Sequence, residues 1–373
     1  MNKKGPTYDY LVIGAGLFGA VFAHEASKKG KKCLVIDKRS HIGGNVYTEF
    51  LNGIHVHRYG PHIFHTSDKE VWDYMNSFAK FNEFINTPLA NYGGKYYSLP
   101  FNMNTFKQMW GVTTEGEAIA KIASQIVLPK NGEPSNLEEQ ALSSIGRDLY
   151  ETLIKGYTEK QWGRPCNELP LEIIKRLPLR FTYDNNYFND TYQGIPSNGY
   201  TEIIEKMLEN CEVILNENFV DKKEHYLKIA STIVYTGSID EFFGFCLGRL
   251  EYRSLLFKEE IISIPSFQGY AVVNYTEKEV PFTRIVEHKY FDHFCKQNGI
   301  TIITKEYPQK YEIGLEPYYP INTRENDALY TKYLELSKQY KNVHFKGRLG
   351  SYRYFDMDKV VREALSFAKK IIN

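Results

Sequence analysis

The stretch LVIGAGLFGAVFAHEASKKGKKCLVID, residues 11–37, decides the fold. An apolar run ending at Ile13 has the length of a buried parallel strand, and Gly14, Gly16 and Gly19 follow it in G-x-G-x-x-G spacing. The first glycine permits a tight turn, the second lets a pyrophosphate approach the backbone, and the third lets the next helix pack close to the strand. A glycine-rich surface turn is the alternative, but the strand, glycines and helix in register favour dinucleotide binding at the helix N-terminus.

A second strand and an acidic residue complete this unit. Gly30 is expected to end the helix, residues 33–36 read as the second strand, and Asp37 follows them, placed to accept hydrogen bonds from a ribose hydroxyl pair. Gly43 and Gly44 then allow a second close approach of the backbone to the cofactor, where a simple NAD-binding domain would continue with a helix. This favours FAD over NAD, with a plain surface turn as the other interpretation.

Composition limits the classes of protein that fit. The chain has 373 residues, enough for two or three lobes, and its 46 basic and 45 acidic residues give no global reason to expect nucleic-acid or membrane binding. Five scattered cysteines without a C-x-x-C pair read as free thiols in a reducing compartment. No apolar run approaches the roughly 18 residues that a membrane-spanning helix needs. We therefore expect a soluble, cytoplasmic protein with no nucleic-acid partner and no integral membrane segment.

The rest of the chain predicts two lobes attached to the dinucleotide-binding domain. EGEAIAKIASQIV, NLEEQALSSIGRDLYETLIKGY and LPLEIIKRL indicate a mainly helical insertion. TPLANYGGKYYSLP, with its Gly-Gly hairpin signal, AVVNYT and GITIITKEYP are predicted to form one antiparallel sheet. CEVILNENF, ASTIVYTGSID and the C-terminal segment that begins with NVHF are predicted to return to the first sheet.

We therefore predict an α/β fold in which a discontinuous Rossmann-like FAD-binding domain carries a helical-bundle insertion and an antiparallel β-sheet lobe. The helical domain is expected to bind substrate and to supply a lid. The predicted boundaries are 1–75, 190–245 and 318–373 for the FAD-binding domain, 103–189 for the helical domain, and 76–102 and 246–317 for the sheet domain.

Arginine and aromatic residues suggest what the second ligand is. Trp162 lies in GYTEKQWGR beside basic residues, where a ring can stack on a base, although packing is the alternative for any single aromatic. Arg176, Arg284 and Arg348 read either as surface ion-pair partners or, together with tyrosines, as a cage for a diphosphate.

Motifs for a metal site or a side-chain nucleophile are not evident in the sequence. His62 and His65 have metal-like spacing, but no third ligand stands nearby in the sequence, so we expect no metal. The sequence contains no G-x-S-x-G elbow and no P-loop. The residues alone therefore predict a flavoprotein that acts on a phosphate-bearing aromatic molecule.

A series of longer motifs resembles the bacterial UDP-galactopyranose mutase family. They run in the same order from about residue 8 to the C-terminus, and only the first is shared with flavoproteins in general. These motifs are VIGAGLFGAVFA, HIGGN, YGPHIFHT, LPFNMNTFKQMWG, IKGYTEKQWGR, RFTYDNNYF, YQGIPSNGYT, LEYRSL, PFTRIVEHK, TKEYP, EPYYP and GRLGSYRYFDMD.

The resemblance implies an isomerase that interconverts UDP-galactopyranose and UDP-galactofuranose. It implies that reduced FAD acts as a covalent nucleophile at the anomeric carbon with no net redox change, and that the product supplies cell-surface glycans. It also implies a homodimer. Three alternatives stay open: an amine-oxidase-like FAD oxidoreductase, an inactive nucleotide-sugar sensor, and a mutase for the N-acetylated UDP-sugar.

The resemblance also implies roles for individual residues. The residues expected to bind FAD are Gly14, Gly16, Leu17, Phe18, Gly19, Asp37, Lys38, Gly43, Gly44, Asn45, His62, Arg348, Asp356 and Met357. Those expected to bind the substrate are Asn86, Tyr157, Thr158, Trp162, Tyr187, Asn274, Tyr318, Tyr319 and Tyr354. The expected catalytic residues are Arg176, Arg284, His62 and His65.

Among these, Trp162 and Tyr157 are expected to hold the uridine, and Arg176 and Arg284 to clamp the diphosphate. The segment NELPLEIIKRLPLRF carries Arg176 and is predicted to be a mobile lid, because prolines on both sides confine motion to its flanks.

Overall fold

The computed structural model describes residues 6–129, 132–174, 179–292 and 295–372. In these ranges the strands are β1 (Tyr8–Ile13), β2 (Cys33–Ile36), β3 (Thr48–Leu51), β4 (Ile54–His57), β5 (Phe64–Thr66), β6 (Leu89–Tyr92), β7 (Lys95–Ser98), β8 (Tyr192–Gly194), β9 (Glu212–Ile214), β10 (Ala230–Tyr235), β11 (Tyr252–Ile262), β12 (Val272–Tyr275), β13 (Arg284–Glu287), β14 (Thr301–Lys310), β15 (Tyr319–Pro320) and β16 (Val343–Phe345). The α-helices are α1 (Leu17–Lys28), α2 (Lys69–Asn76), α3 (Met103–Trp110), α4 (Glu115–Ala123), α5 (Leu137–Ser144), α6 (Arg147–Leu149), α7 (Gly156–Trp162), α8 (Tyr200–Leu208), α9 (Lys223–Ile229), α10 (Ile239–Phe242), α11 (Arg324–Ser337), α12 (Gly347–Gly350) and α13 (Met357–Ile371).

A five-stranded parallel sheet forms the Rossmann-like part of the fold. Its strand order is β16-β10-β1-β2-β9, and Ile13 of β1 is opposite Ile36 on one side and Tyr235 on the other. The predicted strand–helix–strand unit is confirmed, and the later strands β9, β10 and β16 return to this sheet as expected. Because every pair is parallel, the carboxyl ends of β1, β2 and β10 meet at one edge, where ligands bind in open α/β sheets.

Apolar helix faces cover both sides of the parallel sheet. α1 places fully buried Ala20, Ala23 and Ala26 in one core with apolar residues of α8 and α13. The opposite face packs against Phe219 and Phe242. Small residues on α1 let the helix lie close to the sheet, which brings its N-terminus to the ligand-binding edge.

The second sheet has seven strands in the order β15-β11-β14-β13-β12-β6-β7. Gly93 and Gly94, at φ 58° and 76°, make the predicted β6–β7 hairpin, which needs positive φ at both turn positions. The prediction of an antiparallel sheet needs one correction, because β6 pairs with β12 in parallel. Since β6 joins from a distant part of the chain, no tight turn forces an antiparallel pairing there.

The helical part contains α3 to α7, but its helices are shorter than predicted. The helical stretch predicted over residues 136–157 is interrupted at Gly146, which has φ 80°, and the chain resumes as α6, a π-helical turn (Tyr150–Lys155) and α7. The expected helix over residues 169–177 appears as a 3-10 turn, Leu171–Ile173, and residues 175–178 lie outside the described ranges. The domain boundaries themselves stay a prediction, and β15, which they assign to the FAD-binding domain, pairs with β11.

None of the helices in the described ranges is both long enough and apolar enough to cross a membrane.

Two buried histidines lie where the β3–β4 hairpin meets the second sheet. The His57 N–H donates to His288 Nδ1 at 3.3 Å, and His288 Nε2 lies 2.8 Å from Thr304 Oγ1. Burial lowers the pKa of His288 to about 3 and, together with the neighbouring His288 and His62, holds the pKa of His57 well below its ordinary value. Both rings are therefore neutral at pH 7.

We expect the protein to lose stability as the pH falls below about 6.5. The unfolded chain takes up a proton on His288 near the ordinary histidine pKa, whereas the folded protein does not. The contribution of the neutral His288 to the free energy of unfolding is therefore complete above pH 6.5, and it falls by about 1.4 kcal/mol per pH unit as the pH is lowered toward 3. His288→Gln should flatten the dependence of the urea midpoint on pH between 6.5 and 4.5, whereas His225→Gln, at an exposed position, should not. An unchanged slope in His288→Gln would contradict this assignment.

Candidate active site

One cavity of about 1000 Å³ extends from the carboxyl edge of the parallel sheet to the helical domain. Gly14, Gly16 and Gly44 line one end, and Trp162 and Arg284 line the other. The same space therefore touches the dinucleotide motif and the residues predicted to bind a second ligand.

Glycines open the floor of the cavity at the parallel-sheet end. Gly14 has φ 104°, and a Cβ at this position would lie 2.1 Å from Thr236 Oγ1. Gly44 has φ 54°, and a Cβ there would lie 2.9 Å from the Cα of Gly16. The two glycine loops touch through backbone alone, and the Gly43 N–H donates to the Ala15 carbonyl at 2.8 Å. This surface fits a dinucleotide phosphate chain, because nothing larger than backbone fills it.

Asp37 is held in place by backbone amides. Its Oδ2 accepts from the Ala15 N–H at 2.8 Å and its Oδ1 from the Arg39 N–H at 2.9 Å, and the residue is buried. A carboxylate oxygen has more than one acceptor site, so both oxygens can still accept from ribose hydroxyls. The predicted ribose contact therefore fits the geometry.

Arg348 and the start of α13 also line the cavity. One guanidinium nitrogen of Arg348 donates to the Tyr318 carbonyl, while its buried Nε has no hydrogen-bond partner among the described residues. Asp356 and Met357, at the N-terminus of α13, line the same wall. A cation and a helix N-terminus together favour an anionic group at this point, such as a reduced flavin ring.

Two predicted histidines, His62 and His65, line this region of the cavity. Burial lowers the pKa of His62 to about 4, and the positive charges of Arg348 and Arg284 lower it as well, so the ring is neutral at pH 7. His65 Nδ1 lies 2.6 Å from Asp190 Oδ2, and its ring stacks on Phe188 at 3.7 Å. The carboxylate favours a proton on Nδ1.

Arg284 is paired with a buried acid on the next strand. Arg284 of β13 is opposite Glu306 of β14, with Nε 2.8 Å from Glu306 Oε2. The Glu306 side chain is 1% exposed and that of Arg284 22% exposed, so the guanidinium is the part that faces the cavity. Burial alone would lower the pKa of Arg284, but the Glu306 carboxylate raises it above its ordinary value. The arginine is thus a fixed cation.

Aromatic rings connect the helical end of the cavity to Arg348. The ring of Trp162 at the end of α7 lies 6.3 Å from that of Tyr319, which lies 5.9 Å from that of Tyr354. The Arg348 guanidinium lies 5.3 Å from the centre of the Tyr354 ring. Burial raises the pKa of Tyr187, another lining residue, to about 12, so its hydroxyl is a donor at pH 7.

Most of the site residues that were predicted from the sequence, and that the structure describes, line this cavity. They are Gly14, Gly16, Leu17, Phe18, Gly19, Asp37, Lys38, Gly43, Gly44, Asn45, His62, His65, Asn86, Tyr157, Thr158, Trp162, Tyr187, Asn274, Arg284, Arg348, Tyr354, Asp356 and Met357. Tyr318 and Tyr319 are not among the lining residues: Tyr318 packs on Phe257, with ring centres 5.5 Å apart, and Tyr319 lies next to the rings of Trp162 and Tyr354. Arg176 lies within residues 175–178, outside the described ranges, and the mobility of the predicted lid over residues 167–181 stays a prediction.

The sequence reasoning missed four charged residues. Asp190 holds His65, Glu306 holds Arg284, and Arg39 and Glu316 form an ion pair at the cavity wall. Glu306 carried a readable signal, since it lies in TKEYP, one of the motifs that resemble the family. The others gain their role only through long-range contacts.

The glycine loops of the Rossmann-like domain open into a cavity lined by a partly buried arginine and several aromatic rings. These features define an enzyme that combines a dinucleotide cofactor with a phosphate-bearing aromatic substrate. Residues 152–354 match the model of the UDP-galactopyranose mutase family, and residues 12–78 match that of the NAD(P)-binding Rossmann-like domain. The chain belongs to the UDP-galactopyranose mutase family; it is an isomerase, and its cofactor is FAD.

Relatives match over nearly the whole chain. The chain is 41% identical to "Probable UDP-galactopyranose mutase" of Klebsiella pneumoniae, covering 100% of this chain and 96% of that protein. It is 36% identical to dTDP-fucopyranose mutase of Escherichia coli, covering 97% and 98%. A crystal structure of reduced UDP-galactopyranose mutase superposes with a TM-score of 0.76 at 14% identity, over 98% of this chain and 94% of that one, which shows the shared fold.

An ion-pair bridge closes the wall at the glycine-loop end of the cavity. Glu316, in the connection between β14 and β15, pairs with Lys38 at 3.1 Å and with Arg39 at 2.9 Å, and Arg39 also donates to Asn45 Oδ1 at 2.9 Å. Glu316 and both basic residues line the cavity. The bridge thus orients groups predicted to hold FAD.

We expect Glu316→Gln to release FAD faster than the wild type does. Loss of a partly exposed ion pair of this kind makes the free energy of FAD binding less favourable by about 1 kcal/mol, which corresponds to an increase of about fivefold in the dissociation rate. The rate can be followed by the rise in flavin fluorescence after dilution into urea too weak to unfold the protein. Glu312→Gln, at an exposed position in the same connection, is the matched control. Equal release rates in the two variants would show that the bridge does not retain the cofactor.

Proposed function

We propose that the protein catalyses the reversible isomerisation of UDP-galactopyranose and UDP-galactofuranose with no net redox change. The observation that carries the proposal is one continuous cavity, which joins glycine loops that fit FAD to a partly buried arginine and to a tryptophan that can stack on a base. The names of the relatives fit the same activity.

The substrate's charge explains why the site holds a fixed cation. When the bond between the anomeric carbon and the diphosphate breaks, negative charge develops on the diphosphate, and Arg284 offers a guanidinium held by Glu306. Trp162 offers a ring on which the uracil can stack, and the tyrosine hydroxyls donate to phosphate or sugar oxygens. Bound at the glycine loops, reduced FAD would supply the nucleophile for the anomeric carbon.

His62 and His65 complete the sugar end of the site. The neutral His62 ring, with Nε2 buried and without a hydrogen-bond partner in the described part of the chain, can donate to or accept from a ligand. His65 is oriented by Asp190 and lines the same cavity. Both therefore stand where sugar hydroxyl groups can exchange protons as the ring opens and closes.

Product analysis tests this proposal directly. Dithionite-reduced protein incubated with UDP-galactofuranose should yield UDP-galactopyranose, and the oxidised protein should not. Parallel incubations with the furanose forms of UDP-N-acetylgalactosamine and dTDP-fucose separate the related substrates, of which the last is named in one relative. Failure of the reduced protein to convert UDP-galactofuranose would overturn the proposal.

Flavin absorbance separates a mutase from an amine-oxidase-like enzyme. A mutase leaves the oxidised flavin spectrum unchanged when its sugar nucleotide is added without air, whereas an oxidase substrate bleaches it. Bleaching by an amine, with no sugar-nucleotide conversion, would support the oxidoreductase instead.

The cellular setting is part of the same proposal. Cys33, Cys166, Cys211, Cys246 and Cys295 are free thiols, which is typical of a reducing compartment such as the cytoplasm. Family resemblance supports a homodimer and a product used in cell-surface glycans. Sedimentation of the purified protein tests the dimer.

A further inference from the structure

Lys160 makes three hydrogen bonds from α7 to one backbone segment. Its Nζ donates to the carbonyl oxygens of Tyr275 at 2.8 Å, Val280 at 3.0 Å and Phe282 at 2.9 Å. These carbonyls belong to the end of β12 and to the connection from β12 to β13. An ammonium group has three N–H donors, so this contact uses all of them.

The same connection touches α7 and the π-helical turn before it at further points. A Cβ at Gly156 would lie 2.3 Å from the Thr276 carbonyl oxygen, so the two backbones are in direct contact. Thr276 Oγ1 donates to the Thr152 carbonyl at 2.8 Å. The connection is therefore docked along this helical segment, with Lys160 at its C-terminal half.

The two docked elements carry different parts of the predicted substrate site. Trp162 lies two residues after Lys160 on α7, and Arg284 is the first residue of β13, directly after the connection. On the far side, Arg253 of β11 donates to the carbonyls of Gln161 at 2.8 Å and Lys160 at 3.3 Å. The end of α7 is therefore fixed from two sheet elements at once.

We propose that Lys160 is a positioning residue that locks α7 to the β12–β13 connection, so that Trp162 and Arg284 engage the base and the diphosphate of one sugar nucleotide together. This rests on the proposed function. Two groups held at a fixed separation bind a rigid ligand without first losing the freedom to move relative to each other. Lys160 itself does not line the cavity and touches no ligand-facing atom with its amine.

The protonation of Lys160 makes this positioning role measurable in the pH dependence of UDP binding. Burial lowers the pKa of the Lys160 amine to about 8, although the nearby carboxylates of Glu277 and Glu279 act in the opposite direction and raise it. The other charged groups around it are the Glu159–Lys278 pair and the guanidinium groups of Arg253 and Arg164. A neutral amine has only two N–H groups, so one of the three bonds is lost above pH 8. UDP affinity should therefore fall between pH 7 and 9.

The test is a titration of FAD-loaded protein with UDP, followed by calorimetry. Lys160→Met should bind UDP about tenfold more weakly than the wild type, with unchanged flavin content. Lys278→Met removes a positive charge from the same connection, where the side chain is 70% exposed, and should stay within twofold of the wild type. Lys160→Arg remains charged at all these pH values, so its UDP affinity should not show the fall between pH 7 and 9.

Each outcome separates this inference from the proposed function. If the wild type binds no UDP, the proposed function is wrong. If the wild type binds UDP and Lys160→Met binds it equally well, the positioning role is wrong. Should Lys160→Met fail to fold, the comparison of Lys160→Arg with the wild type decides, and equal pH dependence in the two would overturn the role.

Discussion

Arg284→Ala is expected to lower kcat about a hundredfold to a thousandfold while FAD stays bound. Loss of one preorganised contact to developing charge has an effect of this size in closed sites. The diphosphate gains charge as the anomeric bond breaks, and Arg284 faces the cavity from a strand, oriented by Glu306. Turnover of UDP-galactofuranose by the reduced protein measures the effect.

A double variant separates catalysis from folding in this experiment. Arg284→Ala leaves the buried Glu306 carboxylate without its partner, which destabilises the protein by itself. Arg284→Ala combined with Glu306→Gln should regain stability but not turnover. Arg284→Lys should rescue poorly, because an ammonium group cannot reproduce a bidentate guanidinium contact. Wild-type turnover in Arg284→Ala would remove the diphosphate role.

Trp162→Ala is expected to weaken UDP binding by about 1 to 3 kcal/mol, the usual worth of stacking one base on an aromatic ring. This corresponds to about five- to 150-fold in affinity. Trp162→Phe and Tyr157→Phe keep a ring at each position and should each cost less. Calorimetry with UDP on the reduced, FAD-loaded protein provides the measurement. Unchanged affinity in Trp162→Ala would assign Trp162 to packing against Tyr319.

The sequence predicted those parts of the fold whose structure depends on residues that are neighbours in the chain. The run from β1 through the glycines to Asp37 was readable because the strand, the glycine spacing, the helix, the second strand and the acid follow one another directly in the sequence. The β6–β7 hairpin was readable because a Gly-Gly turn satisfies positive φ at both positions. The break at Gly146 was not predicted, although a glycine inside a helical pattern is itself a reason to expect a less regular helix.

Long-range pairings could not be predicted in the same way. Nothing near β6 indicates that it lies parallel to β12, and nothing near His65 indicates Asp190, because those contacts depend on how distant elements pack. The same reason explains Lys160, whose three carbonyl partners have no sequence signature at all. Family resemblance located Arg284 and Trp162, whereas the groups that hold them in place became visible only in the folded chain.

The strand order has a consequence for how the protein is made. One edge of β1 pairs with β10, which lies far later in the chain, and β10 in turn pairs with the still later β16. Such non-local pairing slows folding and leaves exposed strand edges that favour aggregation. Since the cavity wall includes Met357, a nascent or C-terminally truncated chain lacks a complete cofactor pocket. The cavity is therefore complete only once α13 has docked, and a cofactor bound there stabilises the folded chain over the unfolded one.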